Sequence, residues 1–274
     1  MRVSFFWEGI LTYLQSYVVP ICTYDIDEER ADLKRLHGTA FYFGANGFYL
    51  TARHVIEAAL KAAEQDDVKA GLVVKSNHGQ GLESMALDLK QYEFAPQPFD
   101  VAVGRSGYFP KTPLRTNMTE AHVWTDIAAL GYPDSASVKD QDGLWMNVRG
   151  YRGHIQRPTI PRDIAIGTHP NGFELSFLTG PGSSGGPVFC VDTETVIGVI
   201  VASFRSEHIE DQVVEVQSNG AEYREMRVRV EQFGFAHDIR GLLDWKADLF
   251  EGHTLSEISE MPFGQLPSTR DLAP

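Results

Sequence analysis

Cysteine is scarce in this chain, which has only Cys22 and Cys190 among its 274 residues. Two cysteines cannot build the dense disulfide framework that holds many small secreted domains together. The alternative is a single bridge between Cys22 and Cys190. We expect both to be free thiols, which suits a reducing compartment.

Basic residues are also few, since 24 Lys and Arg stand against 37 Asp and Glu, and the formal net charge is −13. A general nucleic-acid binder needs a basic stripe that replaces phosphate counterions, and this composition disfavours one. The His, Cys and acidic residues do not have the spacing of a metal site either. We expect neither a nucleic-acid partner nor a metal or other cofactor.

Long hydrophobic runs are missing as well. The apolar stretch from Met1 to Cys22 is interrupted by Glu8 and Gln15, so it is too broken to span a bilayer. It also lacks the small-residue cleavage site that follows a secretory signal. These features predict a cytoplasmic protein without a membrane partner.

One glycine-rich run stands out, Gly182-Ser183-Ser184-Gly185-Gly186-Pro187. Glycines on both sides let the main chain bend tightly and bring its amides close to a substrate carbonyl. The N–H groups of Gly182 and Ser184 would then form an oxyanion hole, and Ser184 would carry the nucleophilic hydroxyl. The alternative is a simple turn, because Gly, Ser and Pro are common turn residues.

A serine nucleophile needs a base, and two earlier segments supply a histidine and an acid. His54 follows an apolar run over 39–50, which Asn46-Gly47 breaks as a hairpin turn would, and it opens a predicted helix. Asp100 leads into a short apolar strand. An aspartate buried beside the histidine would hold the imidazole tautomer and stabilise the imidazolium.

Other acids and histidines are weaker candidates for these roles. Asp88 and Asp126 remain alternatives to Asp100. The other eight histidines lack a comparable sequence context, and we expect them to have surface or core roles: His37, His78, His122, His154, His169, His208, His237 and His253.

The order His, Asp, Ser, in the motifs T-A-x-H-V, D-V-A-V and G-x-S-G-G-P, resembles the chymotrypsin/trypsin-like serine peptidases. The style is that of the disulfide-poor bacterial members such as the HtrA type, without a PDZ module, and the resemblance covers roughly 36–245. It implies that His54 is the general base, that Asp100 orients it and that Ser184 is the nucleophile.

The expected fold is all-β, with two antiparallel six-stranded barrels and a C-terminal helix. The peptidase domain would span 1–245, and 246–274 would contain the end of the C-terminal helix and a polar tail. Within the domain we expect barrel one at about 16–103, a connection at 104–120 and barrel two at about 121–237. Barrel one would contain an N-terminal strand, four strands between 39 and 89, and the strand after Asp100.

Two further predictions concern segments of the second half. The stretch 204–226 is rich in Glu, Asp and Ser, which is typical of an inserted surface loop. Such an insertion would follow the strand Val201–Ser203 and could overhang the cleft. Asp238 is a candidate N-cap for a final helix through Leu249.

The resemblance also implies where the substrate pocket lies and how the enzyme is switched on. Ser183 occupies the place where digestive relatives have an aspartate that pairs with a new N-terminal ammonium, so we expect no activation by that route. The pocket is expected to be floored near Leu178 and walled by Thr179, Gly180 and the strand Val201, Ala202 and Ser203. None of these carries a carboxylate, which predicts a small or apolar residue before the cut.

The predicted function is that of a serine endopeptidase acting on a protein or peptide substrate through an acyl-enzyme. An alternative is a peptide-binding or regulatory module on the same fold that has little activity. A third possibility is an enzyme that stays silent until a regulatory partner acts through the stretch 204–226. Substrate, pathway and oligomeric state are left open.

Overall fold

Two β-sheets, one from each half of the chain, make up most of the structure. It is a computed structural model and describes residues 17–27, 30–76, 83–110, 114–141, 143–164, 167–216, 222–266 and 268. The predicted all-β class with a double-barrel arrangement is confirmed. The apolar stretch before Tyr17, His78 and the end of the polar tail lie outside the described residues, as does the side chain of His208.

The first sheet has seven strands, in the order β5-β4-β1-β2-β3-β7-β6. The additional strand is Gln91–Phe94, because the chain turns after Asp88 and pairs Gln91–Phe94 with Ala102–Arg105. The prediction of six strands is therefore wrong for this half. The strands are β1 (Val18–Asp27), β2 (Arg30–Phe43), β3 (Phe48–Thr51), β4 (Lys69–Ser76), β5 (Glu83–Asp88), β6 (Gln91–Phe94) and β7 (Ala102–Arg105).

The predicted hairpin and helix around His54 are confirmed. Strands β2 and β3 pair through a four-residue turn that ends at Gly47, whose φ is +77°. Helix α1 (Arg53–Asp66) begins two residues after β3 and buries one face through Val55, Ile56, Ala59 and Ala62. This burial fixes the start of the helix, and His54 with it, against the first sheet.

The second half forms a closed barrel of six antiparallel strands, as predicted. Phe173, Phe189 and Phe235 are buried in this half, and each such side chain stabilises the fold by about 2 kcal/mol. The order around the barrel is β11-β12-β15-β14-β13-β8. The strands are β8 (Asp126–Gly131), β11 (Arg149–Thr159), β12 (Gly172–Leu175), β13 (Pro187–Cys190), β14 (Thr195–Val216) and β15 (Glu222–Asp238), with a separate hairpin of β9 (Ser137–Lys139) and β10 (Leu144–Met146).

The described residues of the stretch 204–226 belong to two paired strands that form a ribbon, so the prediction of a loop is wrong for them. Strands β14 and β15 continue beyond the barrel and stay paired from Phe204 opposite Phe233 to Val216 opposite Glu222. Charged residues suggested a loop, but the ladder is made by the backbone, and β-branched residues alternate with the charges.

The prediction of a helix over Asp238–Leu249 is also wrong, because the C-terminal α-helix begins further along the chain. The Asp238 side chain does accept the N–H of Arg240, but it caps a single 3-10 turn, Ile239–Leu242. The chain then doubles back, and the carbonyls of Leu243 and Trp245 accept N–H groups from the returning segment instead of continuing a helix. The C-terminal helix is α2 (Leu255–Glu260). No helix in the described part of the chain has the length and apolar character needed to cross a membrane.

The C-terminal segment packs on the first sheet. The buried Asn46 side chain donates to the carbonyls of Met261 and Pro262 and accepts the N–H of Gly264. Leu266 is fully buried. This part of the predicted polar tail is therefore docked.

One histidine of the second barrel is buried against residues of the first half of the chain. His237 on β15 is fully buried, and its ring lies 5.8 Å from the Phe235 ring and 6.3 Å from the Phe99 ring, measured between centroids. Its Nε2 lies 3.0 Å from Nδ1 of His169. Burial lowers the pKa of His237 to about 4, so the folded protein holds this ring neutral at pH 7.

This buried histidine predicts a loss of stability in mild acid. The unfolded chain binds a proton at this residue near pH 6.5, whereas the folded chain does so only near pH 4. The free energy of unfolding should therefore fall by about 2 kcal/mol from pH 7 to pH 5 because of His237 alone. Urea unfolding of His237→Asn should show a correspondingly weaker pH dependence. The exposed His122 offers a matched control, His122→Asn, and an equal effect in both variants would contradict the assignment.

Candidate active site

His54 and Asp100 are in direct contact. The Asp100 carboxylate accepts the backbone N–H of His54 at 2.9 Å on one oxygen, and its other oxygen lies 2.6 Å from His54 Nδ1. Two contacts from one carboxylate fix both the position and the plane of the imidazole. The arrangement leaves His54 Nε2 available for proton transfer.

The electrostatics of Asp100 favour its charged form. Burial alone would raise the pKa of Asp100, but hydrogen bonds and positive charge from His54 outweigh it, so the net pKa lies below the usual range. The alternative acids are placed elsewhere. Asp88 bonds the Tyr24 hydroxyl, and Asp126 lies 3.8 Å from Arg152.

The loop that carries Ser184 is docked on the first sheet through Thr39 of β2. The N–H of Thr39 donates to the Ser184 carbonyl at 2.8 Å, and its hydroxyl donates to the Gly182 carbonyl at 2.8 Å. The same hydroxyl accepts the N–H of Tyr132 at 2.9 Å. Thr39 therefore fixes the loop at two of its residues.

Close backbone contacts place Ser184 beside the segment that bears His54. A Cβ added to Gly38 would lie 2.6 Å from the methyl groups of Val55 and 3.0 Å from the Ser184 carbonyl oxygen. A Cβ on Gly185 would lie 3.0 Å from the backbone nitrogen of Ala52. The Ser184 carbonyl thus lies close to Val55 and Gly185 lies close to Ala52, two residues that flank His54 in the sequence.

Two N–H groups of the Ser184 loop have no hydrogen-bond acceptor among the described residues. The N–H groups of Ser183, Gly185 and Gly186 donate to carbonyls of the chain. Those of Gly182 and Ser184 donate to no group among the described residues. Gly182 and Gly185 have φ of +87° and +86°, so the loop needs a left-handed turn at each. Two free amides next to one serine hydroxyl are the components of an oxyanion site.

Ser183, in the place of the activating aspartate, is supported by a neutral hydrogen bond. It is fully buried, and its hydroxyl lies 3.2 Å from the Tyr151 hydroxyl. Tyr151 stacks on Phe177 with ring centroids 5.4 Å apart. The Ser183 side chain therefore has a partner that belongs to the barrel itself.

The residues expected to form the pocket lie close together on two segments. Thr179 is buried, and its hydroxyl lies 3.4 Å from the Ala202 carbonyl and 3.3 Å from the Ser203 hydroxyl. Val201 is buried, whereas Leu178 is 46% exposed and so faces solvent rather than closing a floor. Gly180 continues the Thr179 segment towards the Ser184 loop.

A further contact on Asp100 was not expected from the sequence. The backbone N–H of Asp100 donates to Nδ1 of His237 at 3.1 Å. This bond crosses from the first sheet to the second barrel. His237 directly follows the apolar run Gly234–Ala236, and no motif in the sequence separates it from the other histidines.

Comparisons with known proteins identify the family of the chain. Residues 38–199, more than half of the chain, match the family described as trypsin-like peptidase domain. No curated protein matches the chain.

Solved structures share the fold at low sequence identity. Mouse neuropsin, a serine protease, is 13% identical with a TM-score of 0.52, over 84% of this chain and 92% of its own. The HtrA-type protease AlgW bound to a decapeptide is 14% identical with a TM-score of 0.53, over 90% of this chain and 66% of its own. The Rv3671c protease of M. tuberculosis, in its active form, is 17% identical with a TM-score of 0.49, over 88% and 86%. The chain therefore belongs to the trypsin-like peptidase domain family and is a serine endopeptidase.

Proposed function

We propose that the protein cleaves peptide bonds through Ser184, His54 and Asp100, within a peptidase domain at 1–245. The observation that carries this is the pair of contacts between the Asp100 carboxylate and His54, beside the docked Ser184 loop. An acid-oriented imidazole next to an accessible serine is the arrangement that acyl transfer requires.

The chemistry follows from these positions. His54 takes the Ser184 proton as the oxygen attacks the substrate carbonyl, and the N–H groups of Gly182 and Ser184 stabilise the resulting oxyanion. The imidazolium, stabilised by Asp100, then gives its proton to the leaving amine, and an acyl-enzyme remains. Water attacks in the same way and releases the acid.

The substrate is proposed to bind along β14. One edge of β14 pairs with β15. Among the described residues, the other edge pairs with β13 and the Ser184 loop, and this pairing ends at Ile200. Val201–Ser203 therefore offers a strand edge to an extended peptide, which is the mode of β-strand addition. That AlgW is solved with a decapeptide is consistent with a peptide ligand.

The ribbon of β14 and β15 supports a regulatory partner. Its outer part has an apolar face, with side chains between 38% and 60% exposed: Ile209, Val214, Met226, Val228 and Val230. A partner bound to this face would act on the same strand that carries Val201–Ser203. We propose that the free ribbon keeps basal activity low.

The thiols support a cytoplasmic location. Cys22 and Cys190 are both free and buried, as predicted for the thiols themselves. Cys22 contacts the Met146 sulfur at 3.3 Å, and burial raises its pKa far above the usual range, which keeps it inert. Recovery of the native protein from an oxidising compartment would contradict this location.

Loss of the Ser184 hydroxyl should abolish catalysis. We expect Ser184→Ala to lower kcat/KM on peptide substrates by about 10³-fold or more, because the acyl-enzyme cannot form. Active-site labelling by a fluorophosphonate should occur in the chain beginning at Met1 and vanish in this variant. Ser256→Ala, on α2, is the matched control and should keep both. Equal hydrolysis by Ser184→Ala and the unaltered protein would refute the role, and peptide binding without hydrolysis in both would indicate a binding module.

The pocket should favour small apolar residues before the cut. We expect kcat/KM for Ala or Val at this position to exceed that for Arg or Lys by about tenfold or more, since an unpaired buried cation is unfavourable. Mass spectrometry of peptide-library digests measures this preference. Ser203→Asp should increase cleavage after Arg, whereas the isosteric neutral Ser203→Asn should not. A wild-type preference for Arg would show that the pocket is wrongly placed.

Shortening the ribbon should raise basal turnover. A variant in which Asn-Gly joins Arg205 to Gln232 removes the apolar face and keeps the barrel strands paired. We expect its hydrolysis of a short peptide to rise by about fivefold, because the restraint on Val201–Ser203 is lost. The charge-face variant Arg227→Ser is the control and should behave like the unaltered protein. Unchanged turnover in the shortened chain would count against gating.

A further inference from the structure

We propose that His237, held by His169, is a positioning residue that fixes Asp100 against His54 from the second barrel. This inference rests on the proposed roles of His54 and Asp100. It assigns to a buried histidine a function in the reaction, although the ring does not touch substrate.

Asp100 is held from opposite sides. Its carboxylate faces His54, and its backbone N–H faces Nδ1 of His237 at 3.1 Å. Side chain and main chain of one residue are thereby both restrained, and the direction of the carboxylate depends on both contacts.

The His237 contact is the one that reaches across the molecule. Asp100 lies in the connection between β6 and β7, whose other hydrogen bonds are local: Ala95 to Val101 at 2.9 Å and Phe99 to Pro96 at 3.1 Å. The Asp100 carbonyl accepts the N–H of Arg53 at 3.3 Å, again within the first sheet and its helix. Among the described residues, the connection between β6 and β7 is hydrogen-bonded to the second barrel through His237.

The two histidines have a defined proton arrangement. Nδ1 of His237 accepts the Asp100 N–H, so this nitrogen carries a lone pair and the proton of the neutral ring is on Nε2. Nε2–H then donates to Nδ1 of His169 at 3.0 Å. In this tautomer His169 Nδ1 accepts the Nε2 proton, so the His169 contact supports the form of His237 that Asp100 requires.

The surroundings keep His237 a neutral acceptor. The ring is fully buried and lies against the rings of Phe99 and Phe235. Three titratable groups influence its protonation. Asp100 raises the pKa of His237, whereas His169 and His54 lower it. Burial is the dominant effect and disfavours protonation, so the lone pair on Nδ1 persists at neutral pH.

Two near-isosteric variants separate positioning from simple packing. In His237→Asn the amide oxygen can take the place of Nδ1, whereas in His237→Gln it lies near the place of Nε2. Both are neutral and polar, and both can be compared for folding by thermal unfolding. We expect His237→Asn to keep kcat within about threefold of the unaltered enzyme, and His237→Gln to lower kcat by about tenfold or more with KM little changed.

A spectroscopic measurement tests the same idea without substrate. A proton shared between His54 Nδ1 and a carboxylate oxygen at 2.6 Å should give a far-downfield proton NMR resonance. We expect this resonance to persist in His237→Asn and to broaden or shift in His237→Gln. A purely structural role would change thermal unfolding in both variants alike and leave the resonance of the folded fraction unmoved.

The outcomes distinguish this inference from the proposed function. Equal kcat in the two variants, or an unchanged resonance in His237→Gln, would overturn the positioning role while Ser184 labelling remained. Hydrolysis that is independent of Ser184 would instead overturn the proposed function. If His237→Gln fails to fold, the resonance and kcat of His237→Asn alone decide, and a large loss of both in that variant overturns the inference.

Discussion

The site depends on the hydrogen bonds of Thr39, a buried residue of the first sheet that holds the loop of the second barrel. Its N–H and its hydroxyl bind the carbonyls of Ser184 and Gly182, and its own carbonyl accepts the Thr51 hydroxyl at 2.6 Å. Ser184 and Gly182 belong to the second half of the chain, so their two bonds to Thr39 form only when both halves have folded, whereas the Thr51 bond holds Thr39 within the first sheet. The loop therefore acquires its shape from the contact between the barrels.

The contact between the barrels also organises the acid. The first sheet supplies Asp100 and, through α1, the histidine it binds, while the second barrel supplies the His237 contact to its backbone. In this arrangement the backbone N–H of Asp100 and the Nδ1 of His237, which meet between the two halves, satisfy each other. Apolar packing brings the halves together, and hydrogen bonds of fixed geometry set their relative placement.

Much of the fold and of the candidate site could be predicted from the sequence, because these features have local signatures. The hairpin at Asn46-Gly47, the helix after Thr51 and the turn-rich Ser184 run depend on neighbouring residues and on backbone preferences. The pairing of His54 with Asp100 was expected only through resemblance to a family, since 46 residues separate them. Their contact depends on sheet topology that no local pattern specifies.

The features that could not be predicted have non-local causes. The polar composition of the ribbon predicts a loop. Strand pairing, however, is made by the backbone and tolerates exposed charged side chains. The final helix fails after Leu242 because a returning segment, more than ten residues later, takes the carbonyls that it would have used. His237 has no distinguishing motif at all, and its place is visible only once the two barrels are assembled.

The neutral support of the Ser184 loop has a consequence for how the molecule responds to its surroundings. Ser183 is buried and Tyr151 is half-buried, and their two uncharged hydroxyls lie 3.2 Å apart. Dissolved ions weaken the attraction between charges, but they hardly affect a hydrogen bond between neutral groups. This contact of the loop should therefore depend little on ionic strength, unlike one that an ion pair would supply.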